Sequence, residues 1–172
     1  MRLREANLDD AHAIAALHAA SWRDAYRLIL DPAYLAGPVE QDRLDVWTGR
    51  LSAPDAARRT MLAEDAVGII GFICTFGGDD ATWGSLVDNL HVLPNAKGRG
   101  VGRALLRSAA HWVEQAHPSG GMYLWVYEAN GASCRFYDRM GGRPVERSLR
   151  PSPGGTAPSL RYHWPDPGAL NL

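Results

Sequence analysis

The residues with the clearest chemical potential lie between Asp88 and Arg107, where the chain reads Asp-Asn-Leu-His-Val-Leu-Pro-Asn-Ala-Lys-Gly-Arg-Gly-Val-Gly-Arg-Ala-Leu-Leu-Arg. Leu86, Asp88, Leu90 and Val92 alternate along an extended segment, with three apolar residues on one side. Pro94 and Asn95 stop it. Gly98, Gly100 and Gly102 allow a tight turn and close approach of a ligand to the backbone. From Val101 the period changes, and Val101, Leu105, Ala109, Trp112 and Val113 fall on one helical face. The glycines therefore sit where a helix begins, and free N–H groups and the positive end of the helix dipole make such a place an anion site. Lys97, Arg99 and Arg103 add charge to it.

The pattern excludes two common anion binders. A phosphate-binding loop of the Gly-x-x-x-x-Gly-Lys-Ser/Thr type needs a lysine and a hydroxyl after its last glycine, but Arg103 and Ala104 follow Gly102. A dinucleotide fingerprint needs Gly-x-Gly-x-x-Gly, and its third glycine falls on Arg103 or Leu105. What remains is basic-x-x-Gly-x-Gly, from Lys97 to Gly102.

A second group of residues follows. Leu124-x-Val126-x-x-x-Asn130 precedes Ala132, Phe136, Tyr137 and Gly141-Gly142. Asn130 suits a helix N-cap, and Tyr137 lies on a stripe with Ser133, Phe136 and Met140 that a core could also use.

These groups need elements to hold them. Arg2 to Ala6 reads as a strand, and Asn7 caps a helix bearing Ile14, Leu17, Ala20 and Trp22. Asp31-Pro32 opens a short helix, Gly37-Pro38 breaks it, and a third helix covers about Val39 to Leu51. Pro54 marks a loop. Thr60 to Ala66 and Gly68 to Phe76 read as a hairpin, Gly77 to Asp80 as a turn, and Thr82 to Val92 as the next strand. After the Val101 helix come a strand over Met122 to Tyr127 and a helix from Asn130 to about Met140. Arg143 to Leu149 and Leu160 to Trp164 form a last hairpin around Pro151 to Gly155. The order is that of a mixed α/β sheet, with a parallel crossover from Thr82 to Tyr127.

Both motifs, in this order and context, resemble the GNAT acyltransferases (Gcn5-related N-acetyltransferases), whose loop reads Gln/Arg-x-x-Gly-x-Gly/Ala; Lys97 departs from it in the first position. The resemblance spans nearly the whole chain. It implies a GNAT fold of the α/β (α+β) class. The central sheet would be mixed and mainly antiparallel, with splayed parallel central strands, flanked by helices. One domain would cover 1–165, and a tail over 166–172 would fray. The activity implied is transfer of acetyl from acetyl-CoA to a primary amine, with no metal. In the family's manner, the backbone of Leu90, His91 and Val92 would pair with the pantetheine arm. Gly98, Arg99, Gly100, Val101, Gly102 and Arg103 would cradle the pyrophosphate. Asn130 would contact the arm, and Tyr137 would face the thioester sulfur.

The base is less defined. Some relatives carry a glutamate where Trp125 stands. Asp88 is the first candidate, ahead of His91 and Glu128. Trp22 and Tyr26 are candidates for the acceptor pocket, although packing against Trp47 explains them equally well. The competing classes are a non-catalytic CoA-binding module and a protein N-terminal or lysine acetyltransferase. A homodimer is the family default.

Composition sets the outer bounds. A chain of 172 residues with 46% hydrophobic and 22% charged residues suits one globular domain. A net charge of −1 gives no bulk attraction to nucleic acid or membrane. Cys74 and Cys134 match no metal spacing. With no signal-like or membrane-spanning run, a cytoplasmic protein is expected. Given the resemblance, the balanced charge and the lack of a readable peptide groove favour a small-molecule acceptor over a protein.

Overall fold

The computed structural model describes residues 1–53 and 55–171; Pro54 and Leu172 lie outside the described residues. Seven strands form one sheet in the order β1-β2-β3-β4-β5-β7-β6. They are β1 (Arg2–Glu5), β2 (Arg58–Asp65), β3 (Gly68–Asp80), β4 (Gly84–Val92), β5 (Met122–Tyr127), β6 (Arg143–Ser152) and β7 (Gly155–Trp164). The helices are α1 (Ala11–Ala25), α2 (Pro32–Ala36), α3 (Val39–Ser52), α4 (Val101–Ala116) and α5 (Gly131–Arg139). All neighbouring strands are antiparallel except β4 and β5.

Local chemistry sets the ends of these elements. The Asn7 side chain accepts from the Asp9 N–H at 2.9 Å, and Asp10 accepts from the Asn7 N–H at 2.9 Å, a reciprocal cap that leads into α1. Arg4 reaches Asp10 at 2.7 Å and holds its carboxyl below the usual range. Asp31 caps α2 through the Ala33 N–H at 2.8 Å, with Pro32 in the first turn.

The sheet separates two apolar layers. On one side α1 and α3 press Ile14, Leu17 and Trp47 onto Leu62, Phe72 and Cys74. On the other, α4 and α5 bring Leu105, Leu106, Val113 and Tyr137 onto Ile73, Val87, Met122 and Leu124. Gly71 lets α4 approach closely: a Cβ there would lie 3.0 Å from both the His91 carbonyl oxygen and Val101 Cγ1.

Four sequence expectations need correction. Gly77 to Asp80 is strand, not turn; β3 runs on to Asp80, whose side chain caps the real turn through the N–H groups of Thr82 and Trp83. The last hairpin is longer than expected, because Pro151 sits on the edge strand β6, where a missing N–H costs nothing. The tail does not fray. Pro167–Asn171 forms a 3-10 helix, and Leu170, 6% exposed, joins the core beneath α4.

The fourth correction matters most. Cys74 pairs with Asn89 but Thr75 with Val87, so Asp88 is an extra residue, a β-bulge. The expected side shared by Leu86, Asp88, Leu90 and Val92 does not exist. Val87 takes its place with Leu90 and Val92 under α4, while Asp88 turns to α3 and pairs with Arg50 at 2.8 Å.

Docking of the tail generates a stability test. Leu170→Ala is expected to lower unfolding free energy by about 2 kcal/mol in urea denaturation, the low end for a buried leucine because the site is near a chain end. An unchanged midpoint would show that the tail contributes no packing.

Candidate active site

β4 and β5 pair only through Ser85 with Met122 and Leu86 with Tyr123. Beyond Leu86 the strands part, at the place where the bulge bends β4. Leu90, His91 and Val92 remain paired with Ile73, Phe72 and Gly71 of β3. Toward β5 their backbone edge meets no strand among the described residues.

The gap opens into a cavity of about 850 Å³. β4, β5, the Ala96–Arg103 loop and helix start, α5, the end of α1 and the loop after it all line it. This size is ordinary for a small-molecule site.

One end of the cavity has the features of an anion site. Gly98 and Gly100 have φ of +76° and +81°, a region open to glycine and strained for other residues. Gly100 precedes α4 without any side-chain cap, and the first helical bond runs from the Ala104 N–H to the Gly100 carbonyl. The N–H groups of Val101, Gly102 and Arg103 are thus left without helical acceptors. Gly102 has helical φ; its role is contact, with Phe136 beside it.

The three cations of the loop differ. Lys97 pairs with Asp24 at 2.6 Å and Arg99 with Asp65 at 3.0 Å. Both pairs are exposed, worth about 0–1 kcal/mol, and would yield to a diphosphate. Arg103 lines the cavity and has no acidic partner among the described residues.

Tyr137 serves both readings that the sequence allowed. Its ring is 7% exposed and packs against Phe136, Tyr162 and Trp164. It also lines the cavity, and its hydroxyl bonds to no described residue. Burial raises its pKa above that of a free tyrosine, so it is a protonated donor throughout the neutral range. Asn130 caps α5 through the Ser133 N–H at 3.2 Å and lines the same cavity.

The base candidates separate sharply. Asp88 lines the cavity, but its ion pair with Arg50 counts against a free general base. Glu128 is held by Arg147 at 2.8 Å, which keeps its carboxyl below the usual range. His91 turns toward α1, where its Nδ1 lies 3.0 Å from Ser21 Oγ. Burial, then Arg43 and Lys97, push its pKa down to about 3.

Of the acceptor-pocket pair, Tyr26 lines the cavity and packs edge-on against Tyr127. Trp22 does not line it; it packs with His18 and Tyr34 beneath the Arg43 guanidinium. Nor does Trp22 rest on Trp47, whose neighbours are His18 and Phe72. Trp125 carries the guanidinium groups of Arg150 and Arg161 over its ring, at 4.5 Å and 4.7 Å.

The sequence did not reveal Ser21 beside His91, or Arg50 beside Asp88. Both pairs join elements far apart in the chain, so neither leaves a local signal. Among the described residues no cluster of His, Cys, Asp or Glu could hold a metal, and no helix is long and apolar enough to cross a membrane.

Comparison with known proteins agrees with this geometry. The chain is 31% identical over 169 residues to a probable N-acetyltransferase of Mycobacterium tuberculosis, covering 94% of this chain and 92% of that one. It is 28% identical over 171 residues to an uncharacterised N-acetyltransferase, YuaI, of Bacillus subtilis, covering 98% and 95%. In structure it is similar to the PaiA N-acetyltransferase of Thermoplasma acidophilum in complex with coenzyme A, with TM-score 0.73, 16% identity and 95% and 98% coverage. It is also similar to a variant of the spermidine N-acetyltransferase SpeG of Vibrio cholerae, with TM-score 0.70, 19% identity and 99% and 96% coverage. The family model for the acetyltransferase (GNAT) family matches residues 17–142, which span the bulged strand, the glycine loop and Tyr137, and the chain belongs to that family.

Proposed function

We propose that this acetyltransferase moves the acetyl group of acetyl-CoA to the primary amine of a small molecule, by direct attack in a ternary complex. The observation that carries the reading is the parting of β4 and β5 beyond Leu86, above an uncapped helix start, inside one cavity that also holds Tyr137.

Each part has a role in that reaction. The free edge of β4 from Leu90 to Val92 pairs with the pantetheine amides as an added strand would. An N–H of the same edge holds the thioester oxygen and the negative charge that grows on it. Gly98 to Arg103 cradle the pyrophosphate with backbone N–H groups, and Arg103 supplies the unpaired cation. Asn130 fixes the start of α5 and so the position of Tyr137. When the amine attacks, the carbon–sulfur bond breaks and CoA leaves as a thiolate of pKa about 8.5. Tyr137 donates a hydrogen bond or its proton to that sulfur. Holding both reactants in one cleft supplies much of the rate.

Tyr26 offers the acceptor a flat apolar wall. Of the two acids in the lining, Asp88 is held by Arg50, while Asp24 is released when Lys97 turns to the diphosphate. A cytoplasmic setting suits the two unpaired thiols, Cys74 and Cys134.

A thiol-release assay with acetyl-CoA and a panel of monoamines, polyamines, amino acids and an N-terminal peptide tests the reading. Release with a small primary amine is expected. Acetyl-CoA binding in a thermal shift without acetylation of any panel member would favour a CoA-binding module. No binding at all would overturn the reading of the loop.

Two variants probe the parts. Tyr137→Phe is expected to lower kcat about tenfold to a hundredfold at unchanged acetyl-CoA affinity. Arg103→Ala is expected to weaken acetyl-CoA about tenfold by calorimetry, with a smaller loss for Lys97→Ala, whose charge Asp24 already shares.

A further inference from the structure

Beneath the acceptor end of the cavity lies a buried polar array that the reaction above does not use. Trp47 donates its indole N–H to His18 Nδ1 at 3.0 Å. Indole is a donor only, so neutral His18 carries its proton on Nε2. That nitrogen is buried without a partner. The His18 ring lies over the His91 ring, with centroids 4.3 Å apart. His91 Nδ1 meets Ser21 Oγ at 3.0 Å. Both Ser21 and His91 line the cavity, and His91 Nε2 bonds to no described residue.

Elimination narrows the proton acceptors. Among the described lining residues, Asp88 is held by Arg50, and Asp24 pairs with Lys97 at the glycine loop. Tyr26 and Tyr137 are raised by burial and stay protonated. His91 is the neutral base in the lining: in the tautomer that donates Nδ1–H to Ser21 Oγ, it carries a lone pair on Nε2.

The geometry points to His91 as the group that takes the proton from the attacking amine, with Ser21 as the positioning residue that fixes its ring. This rests on the acetyltransfer reading above. In the step, the amine nitrogen bonds to the thioester carbon, and its proton passes to His91 Nε2. The carbon–sulfur bond breaks, and the thiolate gains its proton from Tyr137. His91 then returns its proton to solvent through the cavity, and Tyr137 regains one by the same route.

The surroundings make His91 neutral before the step and a better base during it. His18 and Ser21 face it from α1, Arg43 from α3, Phe72 from β3 and Lys97 from the loop. Burial and the two cations keep it uncharged in the free protein. Attack moves negative charge onto the carbonyl oxygen and sulfur nearby, which favours an imidazolium. It also makes the amine proton far more acidic than that of the free ammonium. The requirement on His91 is therefore a free lone pair in place, more than a high resting pKa.

Two experiments test this. The first needs no acceptor. Diethyl pyrocarbonate at pH 6 acylates neutral, accessible imidazoles, and mass mapping locates the products. Exposed His12 should react, fully buried His18 should not, and His91 should react and be protected by acetyl-CoA. A His91 that stays unmodified, or reacts equally with acetyl-CoA present, overturns the assignment.

The second uses acetyl-CoA and the panel amine with the fastest turnover. His91→Gln should lower kcat about a hundredfold with acetyl-CoA affinity unchanged. Ser21→Ala keeps the imidazole and should cost about threefold to tenfold in kcat. A folded His91→Gln protein with wild-type kcat, or one whose loss lies in acetyl-CoA affinity instead of kcat, overturns the proposal. If acetyl-CoA gives no thermal shift with the wild type, the underlying acetyltransfer reading has failed instead.

Discussion

The structure depends on one interruption of backbone pairing. A single extra residue, Asp88, stands in β4 opposite a continuous β3. An unbulged strand would keep its edge paired with β5 and leave no gap. The bulge bends β4 away, and β5 keeps only two pairs with it. The rest of the fold keeps that gap from closing. α4 crosses beneath it, pressed onto β3 through Gly71, and α5 packs Tyr137 against the β5–β7 side. The unpaired backbone, an energetic liability in most sheets, is on the proposed reading the recognition surface.

Backbone recognition explains why half of the site was legible. The anion end needs glycines with positive φ and an uncapped helix start, and both leave local marks in the sequence. Lys97 to Gly102 carried those marks, and Gly98, Gly100 and Val101 stand where they were expected. The strands, the crossover and the helix caps at Asn7, Asp31 and Asn130 are local features too, and they were read from the chain in order. The tail was misread for the opposite reason. Nothing near Leu170 signals that α4 has a groove waiting for it.

The acceptor end depends on long-range pairs, and there the sequence was silent. Asp88 looked like a free base because its partner, Arg50, lies on α3. Trp22 looked like a substrate wall, but Arg43, also from α3, covers its face. The bulge was hidden as well, because Leu86, Leu90 and Val92 alternate well enough to read as an unbroken strand. A single inserted residue reverses which side chains face which layer, and only the register with β3 exposes it.

The two ends of the cavity also differ in what they cost the fold. The anion end leaves only water-accessible N–H groups open. The acceptor end sits above buried donors with no partner: His18 Nε2, Trp22 Nε1 and Arg43 Nε. Each such group costs about 1–3 kcal/mol relative to a satisfied one, a large share of the stability of a domain this size. A layer selected for stability alone would fill those positions with leucine or valine, as the α4 layer does with Leu105, Leu106 and Val113. On the proposed reading, these polar groups lie on the acceptor's side of the cavity and the open backbone on the side of CoA. That reading gives cofactor binding to the backbone and discrimination between acceptors to the side chains of α1 and α3.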